Sequence, residues 1–444
     1  MNVHVTVREY ARLTTTAVPP GDLDCAQISE TAFDWLCELS ASFRKGGATL
    51  LQVEGRRSLK WDSYVGVIET PCGTVLEILP KHFEKHGCKA KSRSLLRKLI
   101  QVALSLKPRQ VSEAGLELFN APITEWVMGQ FLGELEHLVK RGIRFDYQRI
   151  EEDQRFLRGQ LNLAAQIRQP PGRQHNFQVR HDVFLPDRAE NRLLKLALER
   201  VAESTKDAAN WRLASELRTL LAEVPVSRQV PRDLRTWSRD RLMAHYQAIK
   251  PWCELVLNQN MPIAVSGEWR GMSLLFPMEK LFERYVENWL GIQLKPIAKL
   301  KPQSASQFLC NHDNARMFCL RPDLLIDTPE QRWILDMKWK RLDMSRREKN
   351  YDLSQSDFYQ LFAYGHKYRK STGVPRLVLI YPYWSGLQRA LPVFQYGDGM
   401  SLWVLPFDLD NDRLLGAGPT GIPLKQETLK AAWGISEQAI ISPP

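Results

Sequence analysis

Two aspartates and a lysine carry the strongest chemical signal in this chain. Asp323 lies in Arg321-Pro322-Asp323-Leu324-Leu325-Ile326, and Asp336 in Trp333-Ile334-Leu335-Asp336-Met337-Lys338. Pro322 biases Arg321 towards extended backbone, so Asp323 enters an apolar run and Asp336 ends one. Two carboxylates at the facing ends of paired strands can share a divalent cation. Hard oxygen ligands of this kind suit Mg²⁺, with Mn²⁺ as the alternative. Lys338 stands two residues past Asp336, which on a strand points both side chains to one face. An ammonium group there can orient or activate a metal-bound water and stabilise charge on a phosphate. Metal, water and neutralised charge are the requirements of phosphodiester hydrolysis. D-x-K alone is expected by chance in a chain this long. The upstream Pro322-Asp323, the apolar strand frames and the flanking helices lift the signal above that level.

These residues need elements to hold them. After Phe276-Pro277 the spacing of Leu281, Phe282, Tyr285, Val286 and Trp289 predicts a helix over Met278–Leu290, stopped by Gly291. Strand signals follow at Met317–Leu320, Leu324–Asp327 and Trp333–Met337, then a helix over Ser354–Tyr368. Strands return at Arg376–Tyr381, Val393–Tyr396 and Leu402–Phe407. Helix, strands, helix, strand is an α/β or α+β layer arrangement. Upstream, the first 80 or so residues read mostly as strands. Val3, Val5 and Val7 alternate, Thr49–Glu54 is an apolar run, and Ser58–Thr70 and Thr74–Leu79 flank the turn signal Pro71-Cys72-Gly73. A helix is expected over Glu30–Phe43. The middle reads as helical over Leu118–Lys140 and Arg188–Leu257, with strands at Ile143–Arg149 and Phe177–Leu185 between them.

Length and composition agree with an ordinary globular chain. At roughly 150 residues per domain, 444 residues predict about three domains; 44% apolar and 25% charged residues exclude collagen-like, disordered and disulfide-scaffold classes. No apolar stretch approaches the roughly 18 residues of a membrane helix, and the start carries no signal-peptide pattern. Seven irregularly spaced cysteines, an odd number without C-x-x-C, fit a reduced cytoplasmic interior. A formal charge of +11 favours a polyanionic partner such as nucleic acid. Basic residues cluster over Lys81–Lys98, over Arg228–Arg241 around Trp237, and after the motif at Lys340, Arg341, Arg346, Arg347 and Lys349. Cys72, His82, His86 and Cys88 form a zinc set on paper, but their spacing matches no common finger.

P-D, twelve residues, then D-x-K resembles the PD-(D/E)xK nuclease motif of restriction-endonuclease-like folds. In that fold the first helix often supplies a further acid. Glu283 matches that role in Leu281-Phe282-Glu283-Arg284-Tyr285-Val286, with Glu279 one turn earlier as the alternative. Gln360-x-x-x-Tyr364 is similar to the Q-x-x-x-Y element of RecB-like nucleases; four apart, the two share one helical face. The wider pattern resembles McrC, the nuclease subunit of McrBC-type modification-dependent restriction systems. It includes Glu77-Ile78-Leu79-Pro80-Lys81, Leu157-Arg158-Gly159-Gln160-Leu161, Asp182 with Asn191-Arg192-Leu193-Leu194-Lys195, and Leu335-Asp336-Met337-Lys338-Trp339-Lys340.

The resemblance implies an α+β multidomain chain. It comprises a β-rich N-terminal domain (1–115) that docks on a partner ring, a mainly helical connecting domain (116–265), a restriction-endonuclease-like α/β nuclease domain with a mixed central sheet (266–410), and a tail (411–444). It further implies a Mg²⁺-dependent DNA endonuclease that docks on and stimulates an McrB-like AAA+ GTPase ring and cuts double-stranded DNA. Asp323, Asp336, Glu283 and the Met337 carbonyl would be the metal ligands, Lys338 the water-positioning residue, and Gln360 and Tyr364 the brace. The chain itself has no G-x-x-x-x-G-K-[ST] phosphate loop; Arg44-Lys45-Gly46-Gly47-Ala48-Thr49 is the nearest stretch. It is therefore expected to bind no nucleotide, and any motor comes from a partner. Two alternatives stay open from sequence, a non-catalytic assembly subunit of a ring NTPase and a free-standing RecB-like repair nuclease.

Overall fold

Alternating valines at the start of the chain form strand β1 (His4–Arg8), with Val7 fully buried. The structure, a computed structural model, describes residues 3–19, 21–45, 49–82, 89–106, 122–170, 172–173, 175–238, 240–257, 273–294, 298–327, 331–369 and 373–416. β1 runs parallel to the second strand of a hairpin made by β2 (Tyr64–Glu69) and β3 (Val75–Leu79). The hairpin turns at the expected Pro71-Cys72-Gly73, where Gly73 takes φ +83°. The run Ser58–Thr70, expected as one strand, is two. Ser58–Trp61 joins a separate four-stranded sheet with Arg12–Thr14, Cys25–Gln27 and Leu51–Gly55. The Trp61 indole N–H donates to the Tyr64 carbonyl at 2.7 Å and fixes the corner between the two strands.

The chain divides into two compact units, Met1–Ser105 with Leu275–Pro444, and Leu106–Leu274. Boundaries expected at 115, 265 and 410 cut the chain differently. In the first unit, strand Leu274–Pro277 closes the β1-β3-β2 sheet on the far side of β2. Helix α1 (Lys89–Ala103) also packs along helix α2 (Met278–Leu294). α2 runs past Gly291, because Leu290 and Leu294 are both buried and carry its apolar face one turn further.

The first unit also holds a seven-stranded mixed sheet. Its main strands, in spatial order, are β4 (Lys299–Pro302), β5 (Leu324–Asp327), β6 (Arg332–Met337), then, after helix α3 (Gln355–Lys367), β7 (Arg376–Pro382) and β8 (Ser401–Asp408). β4, β5 and β6 are antiparallel neighbours, whereas β6, β7 and β8 run parallel. β7 reads Leu377-Val378-Leu379-Ile380-Tyr381 without a polar break, as a strand buried on both faces must. Ile334, Leu377 and Leu379 form one core with Leu361 and Tyr364 of α3. Trp339, just past β6, meets Phe282 of α2, with ring centroids 5.4 Å apart. The strand expected at Met317–Leu320 belongs to a separate hairpin, Gln307–His312 with Ala315–Leu320.

The second unit holds helices Ile123–Arg141, Ala189–Ser204, Ala208–Leu220 and Lys250–Val256. It also carries a three-stranded sheet of Asp146–Gln154, Phe177–Leu185 and Gln160–Leu161. Its first strand starts later and runs five residues further than the expected Ile143–Arg149, because its pairing with Phe177–Leu185 continues unbroken to Gln154. The chain is thus an α+β protein with a β-rich start, helices in the middle and a mixed sheet towards its end. Among the described residues no helix is long and apolar enough to cross a membrane. Leu118 and the short helix expected at Leu424–Trp433 lie outside the described residues.

Candidate active site

Strand register brings the motif together. Leu324 of β5 pairs with Leu335 of β6, so the next rung of the antiparallel ladder sets Asp323 opposite Asp336. Asp323 Oδ2 accepts the Met337 main-chain N–H at 2.7 Å, which ties the two strand ends. Lys338 Nζ lies 2.9 Å from Asp336 Oδ2. That ion pair sets the lysine charge directly against the buried carboxylate. Asp336 is 2% exposed, whereas the Lys338 side chain is 30% exposed. The ensemble sits at the carboxyl ends of the parallel strands β6 and β7, where open α/β sheets bind ligands.

Helix α3 braces the lysine. Gln360 Oε1 is 3.5 Å from Lys338 Nζ, and Gln360 Nε2 donates to the Tyr364 hydroxyl at 2.6 Å. That hydroxyl donates in turn to the Arg321 carbonyl at 3.1 Å, two residues before Asp323. A continuous polar path therefore joins Lys338 to the segment that enters β5. Asp357, one turn before Gln360, lies 3.6 Å from Lys338 Nζ and accepts the Tyr381 hydroxyl at 3.3 Å.

Glu283 projects from α2 and is 3% exposed. It accepts from Lys280 at 2.5 Å and from the Gln303 amide at 2.8 Å, while the Gln303 main-chain N–H donates to the Asp323 carbonyl at 2.9 Å. Gln303, at φ +41°, thus binds the Asp323 main-chain carbonyl with its N–H and the Glu283 carboxylate with its side chain. Glu279 is exposed, and its charge acts on Tyr10 and Tyr64 instead.

The electrostatics follow from this crowding. Burial, then the charges of Asp336 and Glu283, push the Asp323 carboxyl up to about 7, against the Met337 N–H and Lys280. Burial also pushes Asp336 up, with Asp357 and Glu283 adding to it and Lys338 opposing. Lys338 goes up as well. Its burial works the other way, but Asp336, Asp357 and Asp323 together outweigh it. It is therefore an ammonium at neutral pH, suited to donating hydrogen bonds rather than to taking a proton.

Buried carboxylates that raise one another are short of positive charge. With Asp323 and Asp336 both buried and raised, this hard-oxygen donor set fits a divalent cation. Among the described residues, no three His, Cys, Asp or Glu side chains already converge as a ligand cage. Asp323 and Asp336 lie at adjoining strand ends, and Glu283 is bound by Gln303.

The other candidate clusters resolve differently. Lys81 pairs with Asp24, Arg93 with Glu77 and Lys98 with Asp412, and Arg97 is buried, so much of the Lys81–Lys98 run is bound within the chain. Lys340 donates to the Asp352 carbonyl. Arg346 contacts Asp343 and Asp352. Cys72 is exposed among Thr70 and Thr74, and His82 faces Asp410; His86, Cys88, Lys85 and Arg239 lie outside the described residues. Asp357, Gln303 and Tyr381 were not anticipated. Only Asp357 carries a sequence signal, three residues before Gln360 on the same helix face.

The profile of the family described as McrBC 5-methylcytosine restriction system component matches residues 59–382. No curated protein matches the chain. One similar solved structure is a refined half-complex from a tetradecameric assembly of Thermococcus gammatolerans McrB AAA+ hexamers with bound McrC. It is 19% identical with a TM-score of 0.67, covering 91% of this chain and 95% of that one. A second, the Thermococcus gammatolerans McrBC complex, is 20% identical with a TM-score of 0.51, covering 66% and 88%. At these identities the likeness is one of fold.

Proposed function

Because the chain belongs to the McrBC 5-methylcytosine restriction system component family, we propose that it is the McrC-type subunit that cuts DNA in such a complex. The observation that carries this reading is the Asp323–Asp336–Lys338 cluster at adjoining strand ends, with both carboxyls raised and the lysine charged. Asp323 and Asp336 would hold Mg²⁺, with Glu283 and the Met337 carbonyl completing its surroundings. The bound ion supplies an activated water and neutralises charge on the phosphate.

This chain's own residues do the rest. The Lys338 ammonium donates towards the attacking water and the phosphate oxygens, where negative charge grows in the transition state. Gln360 fixes that ammonium from one side and Asp336 from the other. Tyr364 ties Gln360 to the Arg321 carbonyl, so the lysine and the entry to β5 hold one geometry. The partner under this reading is an McrB-like AAA+ GTPase ring, which would translocate double-stranded DNA to the centre.

The test uses the chain assembled with its ring partner, GTP, Mg²⁺ and methylated DNA. Asp336→Ala and Lys338→Ala should each lower cleavage at least a hundredfold, while size-exclusion chromatography still shows the complex. Wild-type cleavage rates in either variant would end the assignment.

A further inference from the structure

Beyond the end of β6 lies a cavity of about 280 Å³ that the reaction above does not use. It lies between the segment following Lys338, the residues after β7, and those that follow β1 and β3. Its floor is Glu9, which is fully buried. The Glu9 carboxylate accepts the Lys81 main-chain N–H at 2.7 Å and the Trp339 indole N–H at 2.9 and 3.0 Å. Trp339 directly follows Lys338, so the floor of the cavity is tied to the strand that carries the reactive cluster.

The walls are aromatic and cationic. Tyr383 and Trp384 present half-buried rings. The Arg341 guanidinium stands 5.2 Å over the Trp384 ring. Tyr10 takes φ +64°, a left-handed conformation uncommon for a bulky residue, and is 39% exposed. Tyr10 lines the cavity, with its hydroxyl bonded to Ser63. The Lys340 Nζ donates to the Asp352 main-chain carbonyl at 2.5 Å, a neutral partner.

Arg341 donates to the Lys81 and His82 carbonyls and covers one face of Trp384, so stacking on a nucleobase falls to Tyr383 and contact with its phosphates to Lys340. The volume sits at the lower end of small-ligand sites, which suits one base better than a folded cofactor. Lys340 is two residues beyond Lys338, about 7 Å of extended chain. Stacked DNA rises about 3.4 Å per nucleotide of one strand. A base one or two nucleotides from the scissile phosphate therefore falls within reach.

We propose that this cavity takes up a single unstacked nucleobase of the strand being cut, next to the scissile phosphate. The proposal rests on the nuclease reading and adds a positioning site to it. Holding one base out of the stack fixes the register of the backbone over Asp323, Asp336 and Lys338, whichever sequence is present.

The probe is a DNA duplex with 5-iododeoxyuridine at single positions around the cut, bound to the full-length chain with Ca²⁺ in place of Mg²⁺ and irradiated. Mass spectrometry should find a crosslink to Tyr383, Trp384 or Tyr10 from one position, within two nucleotides of the cut. A second measurement compares a fully paired duplex with one left unpaired at that position. The unpaired duplex should bind about tenfold tighter, since unstacking is already done. In Tyr383→Ala that ratio should fall to about one. Crosslinks spread evenly over all positions, crosslinks only outside the cavity, or an undiminished ratio in Tyr383→Ala would each overturn the site. If the wild-type complex still cleaves with Mg²⁺ in that case, the cavity proposal alone fails. If it cleaves nothing, the nuclease reading falls and takes this proposal with it.

Discussion

Asp323 and Asp336 face each other one rung beyond the Leu324–Leu335 pair, and the Met337 N–H donates to Asp323 across that rung at 2.7 Å. Burial and the Asp336 charge raise the proton affinity of Asp323, and burial with Asp357 and Glu283 raises that of Asp336. The arrangement is unfavourable by itself and favourable around a cation, which makes it testable without any cleavage assay.

Asp323→Asn should stabilise the metal-free protein at pH 8 by on the order of a few kcal/mol, because it removes a buried charge that pays desolvation and repulsion together. The same change should abolish stabilisation by Mg²⁺. Thermal melts with EDTA and with millimolar Mg²⁺ check both. Equal Mg²⁺ shifts in variant and wild type would sink the shared-ion geometry.

Stability of the metal-free chain should fall as pH rises from about 4.5 through 7. Burial raises Glu9 to about 7, and burial with neighbouring acids raises Asp323 to about 7. Each binds more protons folded than unfolded in that window, so raising pH favours the unfolded state there. Urea midpoints at pH 5 and 8 measure it. Glu9→Gln should flatten the slope; an unchanged slope would show that Glu9 keeps an ordinary proton affinity.

Tyr364→Phe should lower the cleavage rate about tenfold with little change in DNA affinity. It removes the hydroxyl that links Gln360 to the Arg321 carbonyl, yet it leaves the ring in the core with Leu361 and Leu377. Gln360→Ala should do the same or worse. Single-turnover rates and binding isotherms separate the two effects; a loss confined to affinity contradicts the bracing role.

Gly159→Ala should destabilise the second unit by on the order of 1–3 kcal/mol. Gly159 takes φ +70°, and an added Cβ would stand 2.6 Å from the Arg180 carbonyl oxygen and 2.6 Å from the His181 Cβ. Hydrogen exchange of Phe177–Leu185 should rise while that of β6 and β7 stays the same. Equal exchange in both strands sets would mean the backbone accommodates the methyl.

The meeting of Asp323, Asp336 and Lys338 was legible because strand alternation and the end of each apolar run determine where acids fall on a ladder. The β-rich start and the mixed sheet were legible for the same reason. What stayed hidden depends on contacts between distant segments. Gln303 reaches Glu283 and Asp323 only through a left-handed turn, and nothing in Gln303-Ser304-Ala305 announces one. Asp357 sits in plain view on α3, but only the docking of that helix on β6 and β7 aims it at Lys338. The corner at Trp61 depends on one indole hydrogen bond that no periodicity encodes. Gly291 misled in the opposite direction, because buried Leu294 outweighs the local preference to stop.

The unit that carries the reactive cluster is assembled from two stretches of chain with about 170 residues threaded between them. Its first stretch supplies Glu9 to the indole of Trp339, so neither flank is a finished object without the other. A ribosome making this protein must release the whole middle before that unit can close, so its first stretch waits for the second. Exchanging one flank alone leaves the buried Glu9 without the indole it was built against.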